Sequence, residues 1–148
     1  MAENGAVEDW IVRTQTALGQ LIVKPRMLPD RLRKPPFRFL FDVAAELARA
    51  TGFGAQELFG GPVPEKPEMP GSKDEKTDFL QRWLNLAIAS LGASASELAN
   101  VSVQNIIYGN APEWTNYMLQ CIAVAAQVAR TQAQEQAAAE ARAAAEAA

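Results

Sequence analysis

The chain has no histidine, a single cysteine, and no apolar run longer than Cys121 to Ala126. Without histidine, Ser-His-Asp and Cys-His catalysis and every His-ligated metal site are excluded from these residues. One cysteine, Cys121, excludes an internal disulfide and a thiolate zinc cluster, and agrees with a reducing compartment. The apolar run is far short of the roughly 20 residues needed to span a bilayer as a helix. The opening Met1-Ala2-Glu3-Asn4-Gly5 lacks a basic stretch followed by an apolar one, so no secretory signal is visible. These absences lead to the expectation of a soluble intracellular domain.

The 148 residues are 49% apolar, a figure swollen by alanine, which is best at forming helices and poor at filling cores. The remaining strongly apolar residues still suffice for one folded domain. The formal charge of −3 conceals an asymmetry. Residues 1–9 carry only the acids Glu3, Glu8 and Asp9, while residues 10–49 hold eight basic groups against Asp30, Asp42 and Glu46. The remainder is acidic again.

Period-two alternation is almost absent, and the apolar residues recur at three and four. From Trp10 to Ile22 they define an amphipathic helix with Thr14 on its inner side. Pro25 and Pro29 make 24–34 a loop with at most one turn of helix. Pro35-Pro36 opens a helix on Phe37, Leu40, Val43, Ala44 and Leu47, with Gly52 as its C-cap. Phe39 and Phe41 fall between those positions, so at least one of the three phenylalanines is expected near the surface, the trio wedging the next short helices onto the core. Four prolines make 60–71 an exposed loop. Ser72 or Asp74 caps a helix carrying Phe79, Leu80, Trp83, Leu86, Ala87 and Leu91. Ser94-x-x-Glu97 has capping-box spacing and predicts a short helix, and another short turn ends at Gly109. A last helix starts at Pro112 with Trp114, Met118, Cys121, Ile122, Ala125 and Val128 inward. Beyond Arg130 alanine dominates with no large apolar stripe, so 131–148 reads as a linker that prolongs the helix into solvent, toward something longer. The expected architecture is all-α: an acidic arm (1–9), a domain (10–130), and the linker. Its core is built on Trp10, Leu18, Leu40, Leu47, Phe79, Trp83, Leu86, Met118 and Ile122.

Chemistry-bearing residues are few. Cys121 sits at the spacing of Met118 and Ala125 and reads as a buried small hydrophobe. Asp74, Glu75 and Asp78, mixed with Lys73 and Lys76, suit the solvated start of a helix. Neither Gly52-Phe53-Gly54 nor Gly60-Gly61 completes a phosphate loop. No catalytic residue, metal ligand or cofactor site emerges. The exception to this blandness is Lys24, Arg26, Arg31, Arg33, Lys34 and Arg38, opposed within 24–38 only by Asp30. Such a block points to an acidic partner. A nucleic-acid binder is usually basic throughout, and a membrane binder places its charges on an amphipathic helix. A proline-broken loop in an acidic chain fits an acidic protein better than either.

Five stretches carry a family likeness over roughly residues 10–130. They are Arg13-Thr14-Gln15-Thr16-Ala17-Leu18-Gly19, Lys34-Pro35-Pro36-Phe37-Arg38-Phe39-Leu40-Phe41-Asp42, Thr51-Gly52-Phe53, Lys76-Thr77-Asp78-Phe79-Leu80-Gln81, and Gly109 with Pro112-Glu113-x-Thr115-Asn116 and Leu119-Gln120. The chain resembles the N-terminal calponin-homology domains of intraflagellar transport protein fifty-four, the microtubule-interacting protein associated with a TNF-receptor-associated factor. The resemblance implies a calponin-homology fold of six or seven helices. It also implies a non-motor adaptor of the intraflagellar transport B complex, acting in cilia, flagella, the basal body and the cytoskeleton during cilium assembly. It implies binding to tubulin or microtubules, pairing with other B-complex subunits through a downstream coiled coil, and a monomeric isolated domain. Lys34, Arg38 and Arg13 lie in matching motifs; Lys24, Arg26, Arg31 and Arg33 join them by charge alone. The competing expectation is a structural head that docks on neighbouring subunits, with the basic patch incidental.

Overall fold

The computed structural model describes residues 7–147, which form seven α-helices and one 3₁₀ segment and, among the described residues, no strand. Glu3 of the acidic arm lies outside this span. The helices are α1 (Asp9–Gly19), α2 (Pro29–Arg33), α3 (Phe37–Thr51), α4 (Ala55–Phe59), α5 (Lys73–Leu91), α6 (Val103–Tyr108) and α7 (Pro112–Ala147), with the 3₁₀ segment at Gly92–Asn100.

The first half of α7 is the strut on which the others lean: α1, α2, α3, α5 and the 3₁₀ segment all pack on it. Met118, Leu119 and Ile122 on this strut, and Leu18, Leu40, Leu47, Leu80 and Trp83 facing it, are fully buried. Helix α3 is enclosed on two sides, which is why Phe39 and Phe41 are both buried although they lie between the positions of a single stripe. Phe37 is the half-buried member of the trio. Phe41 meets Phe59 of α4 and Phe79 of α5 at centroid distances of 5.8 and 5.3 Å, so the aromatics do wedge the short α4 into place.

Three expectations need correction. Trp10, Trp114 and Leu86 pack against the core without lying inside it, and Val128, expected inward, is exposed; only Trp83 of the three tryptophans is central. Trp10 and Trp114 occupy the first turns of their helices, at the edge of the bundle, and Trp114 stands edge-on to Tyr117. Second, the capping box forms at Ser72 and Glu75, where side chain and backbone satisfy each other reciprocally. Residues 94–97 instead fall in the 3₁₀ segment, which breaks at Ala95, where φ −135° and ψ 48° are not helical, and which buries Ala95 and Leu98. Third, the proline-rich loop is not wholly exposed. Arg49 donates to the carbonyls of Pro64 and Glu65, and Met69 packs on the core.

Helix α7 runs on past Arg130 with every described residue from Thr131 exposed. Truncation after Arg130 should therefore remove helical signal from the circular dichroism spectrum and leave the melting temperature within a degree or two. A drop of about 5 °C or more, the scale of a lost kcal/mol or two, would mean that the alanine-rich half packs on the domain.

Candidate binding surface

The basic segment is held in place by polar side chains of the first and last long helices. Asn116, fully buried on α7, donates from Nδ2 to the carbonyl of Leu32 at 2.7 Å and to that of Pro112 at 2.9 Å. Leu32 lies in the five-residue α2, whose last carbonyls have no partner within the helix. The carboxamide thus ties Arg31 to Lys34 to the strut. Thr14 Oγ1 lies 3.0 Å from the Trp10 carbonyl and 3.4 Å from that of Asn116, and it accepts from Gln120 Nε2 at 3.2 Å. Gln15 Nε2 donates to the Met27 carbonyl at 2.8 Å, fixing the loop that carries Lys24 and Arg26. Thr51 caps the end of α3, accepting from the Phe53 amide, with Gly52 at a φ of 85° that favours glycine. Gly109, at φ 76°, ends α6, and a Cβ there would fall 2.5 Å from Lys34 Cε, so the glycine lets the lysine stem cross it.

The seven basic candidates are not brought to a single point. Arg33 is occupied: its guanidinium holds the Glu8 carboxylate at 3.0 Å and Asp30 at 2.9 Å. The hydrogen bond from Arg33 holds the Glu8 carboxyl below its ordinary range, and the same contact raises Arg33. Arg38 lies 3.5 Å from Asp42 one turn along α3. Arg13 on α1, Lys24 and Arg26 on the loop, Arg31 on α2 and Lys34 at its end are exposed, with no carboxylate at ion-pair distance among the described residues. Lys24 and Arg38 line one groove against the proline-rich loop, together with Arg49, Lys66, Asp42, Glu46 and Glu65. Lys34 borders a different groove, beside Tyr108.

Sequence reasoning missed Arg49, Lys66, Lys73 and Lys76. Lys73 and Lys76 are not simply solvated: the Lys73 ammonium touches the Tyr108 hydroxyl and stands 4.4 Å from its ring centroid, and that of Lys76 is 5.6 Å from the Phe37 centroid. No spacing in the sequence relates 73 to 108 or 76 to 37. Among the described residues, no three His, Cys, Asp or Glu side chains are grouped to hold a metal ion, and no helix is long and apolar enough to cross a membrane.

A family model described as the microtubule-binding protein MIP-T3 CH-like domain matches residues 10–128. The chain belongs to that family. This CH-like domain is 37% identical over 110 residues to TRAF3-interacting protein 1 of Mus musculus, a match covering 74% of the chain and 17% of the mouse protein. The proteins of the same name from Rattus norvegicus and Danio rerio are 36% and 35% identical, over 74% and 75% of the chain and 16% and 17% of their own lengths. The chain thus spans a small part of these relatives. Several residues that carried the family likeness, Thr14, Gln15, Thr51, Asn116 and Gln120, prove to be the clamps and caps just described. They make the fold, and the fold presents the lysines and arginines.

Two measurements check this division. Asn116→Ala should cost about 1–3 kcal/mol, because it leaves the Leu32 carbonyl without its donor, and lower the melting temperature by several degrees. Cys121 is buried, and burial pushes its thiol above the ordinary value. At pH 8 less of it is thiolate than in the unfolded chain, so a thiol reagent should modify the native domain far more slowly than the denatured one. Equal rates would place the thiol at the surface.

Proposed function

We propose that this CH-like domain is a non-catalytic adaptor module that binds tubulin or microtubules electrostatically, as part of the intraflagellar transport B complex in the cilium or flagellum. The observation that carries the reading is the exposed set Arg13, Lys24, Arg26, Arg31 and Lys34, without paired carboxylates among the described residues, in an acidic chain whose family is described as microtubule-binding. Tubulin is acidic, above all in its glutamate-rich tails, so the signs match. Crowding like charges on one segment costs folding energy, and an acidic partner relieves it. Arg33 and Arg38 contribute less, being already engaged by Glu8, Asp30 and Asp42.

The second reading, a structural head docked on neighbouring transport subunits, draws on exposed apolar side chains of α7, Val124 and Val128. Salt separates the two: charge-driven binding weakens steeply as ionic strength rises, and an apolar contact does not. The double reversal Arg26→Glu with Arg31→Glu should weaken tubulin binding about ten- to hundredfold in pull-downs, with helical content unchanged. Single exposed pairs give roughly 0.2–1 kcal/mol each, and reversal adds repulsion. Arg142→Glu, on the exposed end of α7, is the control and should have no effect. Salt-insensitive binding unaffected by the double reversal would overturn the reading in favour of apolar docking.

A further inference from the structure

A second surface lies between the start of α3, the middle of α5 and the end of α6, where a groove of about 250 Å³ is lined by nine residues, none of them acidic. Leu80, fully buried, and Ile106 lie at its base, and Pro36, Phe37, Ile107 and Tyr108 border it. Tyr108 is 58% exposed, much for a side chain on an apolar wall. Three ammonium groups stand around this lining. Lys34 crosses Gly109, Lys73 stands at the hydroxyl and ring of Tyr108, and Lys76 faces the Phe37 ring.

The combination defines an occupant. The volume lies below the roughly 300–1,000 Å³ of sites for drug-sized molecules and suits one bulky side chain. The apolar lining, with two prolines and a glycine-capped helix end, is preformed, so little is lost in ordering it. An exposed ammonium beside an aromatic side chain is held weakly and remains available to a carboxylate. Bare glutamates would satisfy the lysines and leave the floor empty; a purely apolar segment would do the reverse. We infer that this groove anchors a segment of a partner protein that presents one bulky apolar side chain flanked by carboxylates. The contact shares Lys34 with the proposed tubulin surface but involves neither Arg26 nor Arg31, so variants at those two arginines and at the groove separate the two.

The test uses fluorescently labelled Glu-Glu-Glu-Phe-Glu-Glu-Glu and two comparison peptides, one with Phe replaced by Gly at equal charge, the other with every Glu replaced by Ser. Anisotropy at physiological salt should show the first binding at least about tenfold more tightly than either comparison, since each lacks one of the two complementary contacts. Ile107→Glu should abolish that preference, and Lys73→Glu, which leaves the lining intact, should reduce affinity by about tenfold. The Arg26→Glu, Arg31→Glu double variant should cost less than either. Equal binding of the Phe and Gly peptides would reduce the groove to part of a general basic surface and overturn the proposal. Equal binding of the Ser peptide would overturn it as well, since the lysines would then have no part, and so would indifference to Lys73→Glu in a protein of unchanged helicity.

Discussion

The buried carboxamide of Asn116 is the point on which the presentation of the basic segment depends. Of its two acceptors, the Leu32 carbonyl lies near the close of α2, where backbone carbonyls lack helical partners, and the Pro112 carbonyl lies one turn back along α7. A five-residue helix such as α2 has no stability by itself. It persists because Leu32 is buried beneath it and because Asn116 of the strut donates to the Leu32 carbonyl near its end. The Thr14 and Gln120 contacts close the same junction from the α1 side, so the two ends of the domain, a hundred residues apart in sequence, are locked together by polar groups in an apolar surround.

This junction explains how an acidic protein maintains a basic face. The segment 24–38 carries more positive charge than its surroundings can neutralise, and the fold neutralises only part of it. Arg33 is clamped by Glu8 and Asp30, and Arg38 is steadied by Asp42. What is left outward is a smaller set spread over a loop, a helix and a helix end. The division is physical: carboxylates one turn away along a helix, or delivered by the residues just before α1, reach some guanidiniums and not others.

The alternation of three and four, the proline openings and the glycine caps made the helices legible, and the structure keeps their order and most of their boundaries. The sequence was misleading where one signal admitted two geometries. Ser94-x-x-Glu97 carries the letters of a capping box, yet the backbone breaks at Ala95 between two short 3₁₀ turns, with Ala95 and Leu98 buried. Phe39 and Phe41 escaped a one-stripe description because α3 is covered on both sides. Of the site, the sign of the charge and its place in the chain were readable. Which arginines are already paired was not, since Glu8 and Arg33 meet only once α1 and α2 have docked.

By itself, then, the sequence determined an all-helical domain, its family, the location of its positive charge and the absence of histidine chemistry, because these follow from composition and from spacing along one chain. Tertiary structure alone decided which charges remain outward, that Lys73 and Lys76 stand beside Tyr108 and Phe37, and that Thr14, Gln15, Asn116 and Gln120 are hydrogen-bonded within the fold. Those outcomes depend on residues distant in sequence meeting across packed helices, and no local pattern encodes a distance of that kind.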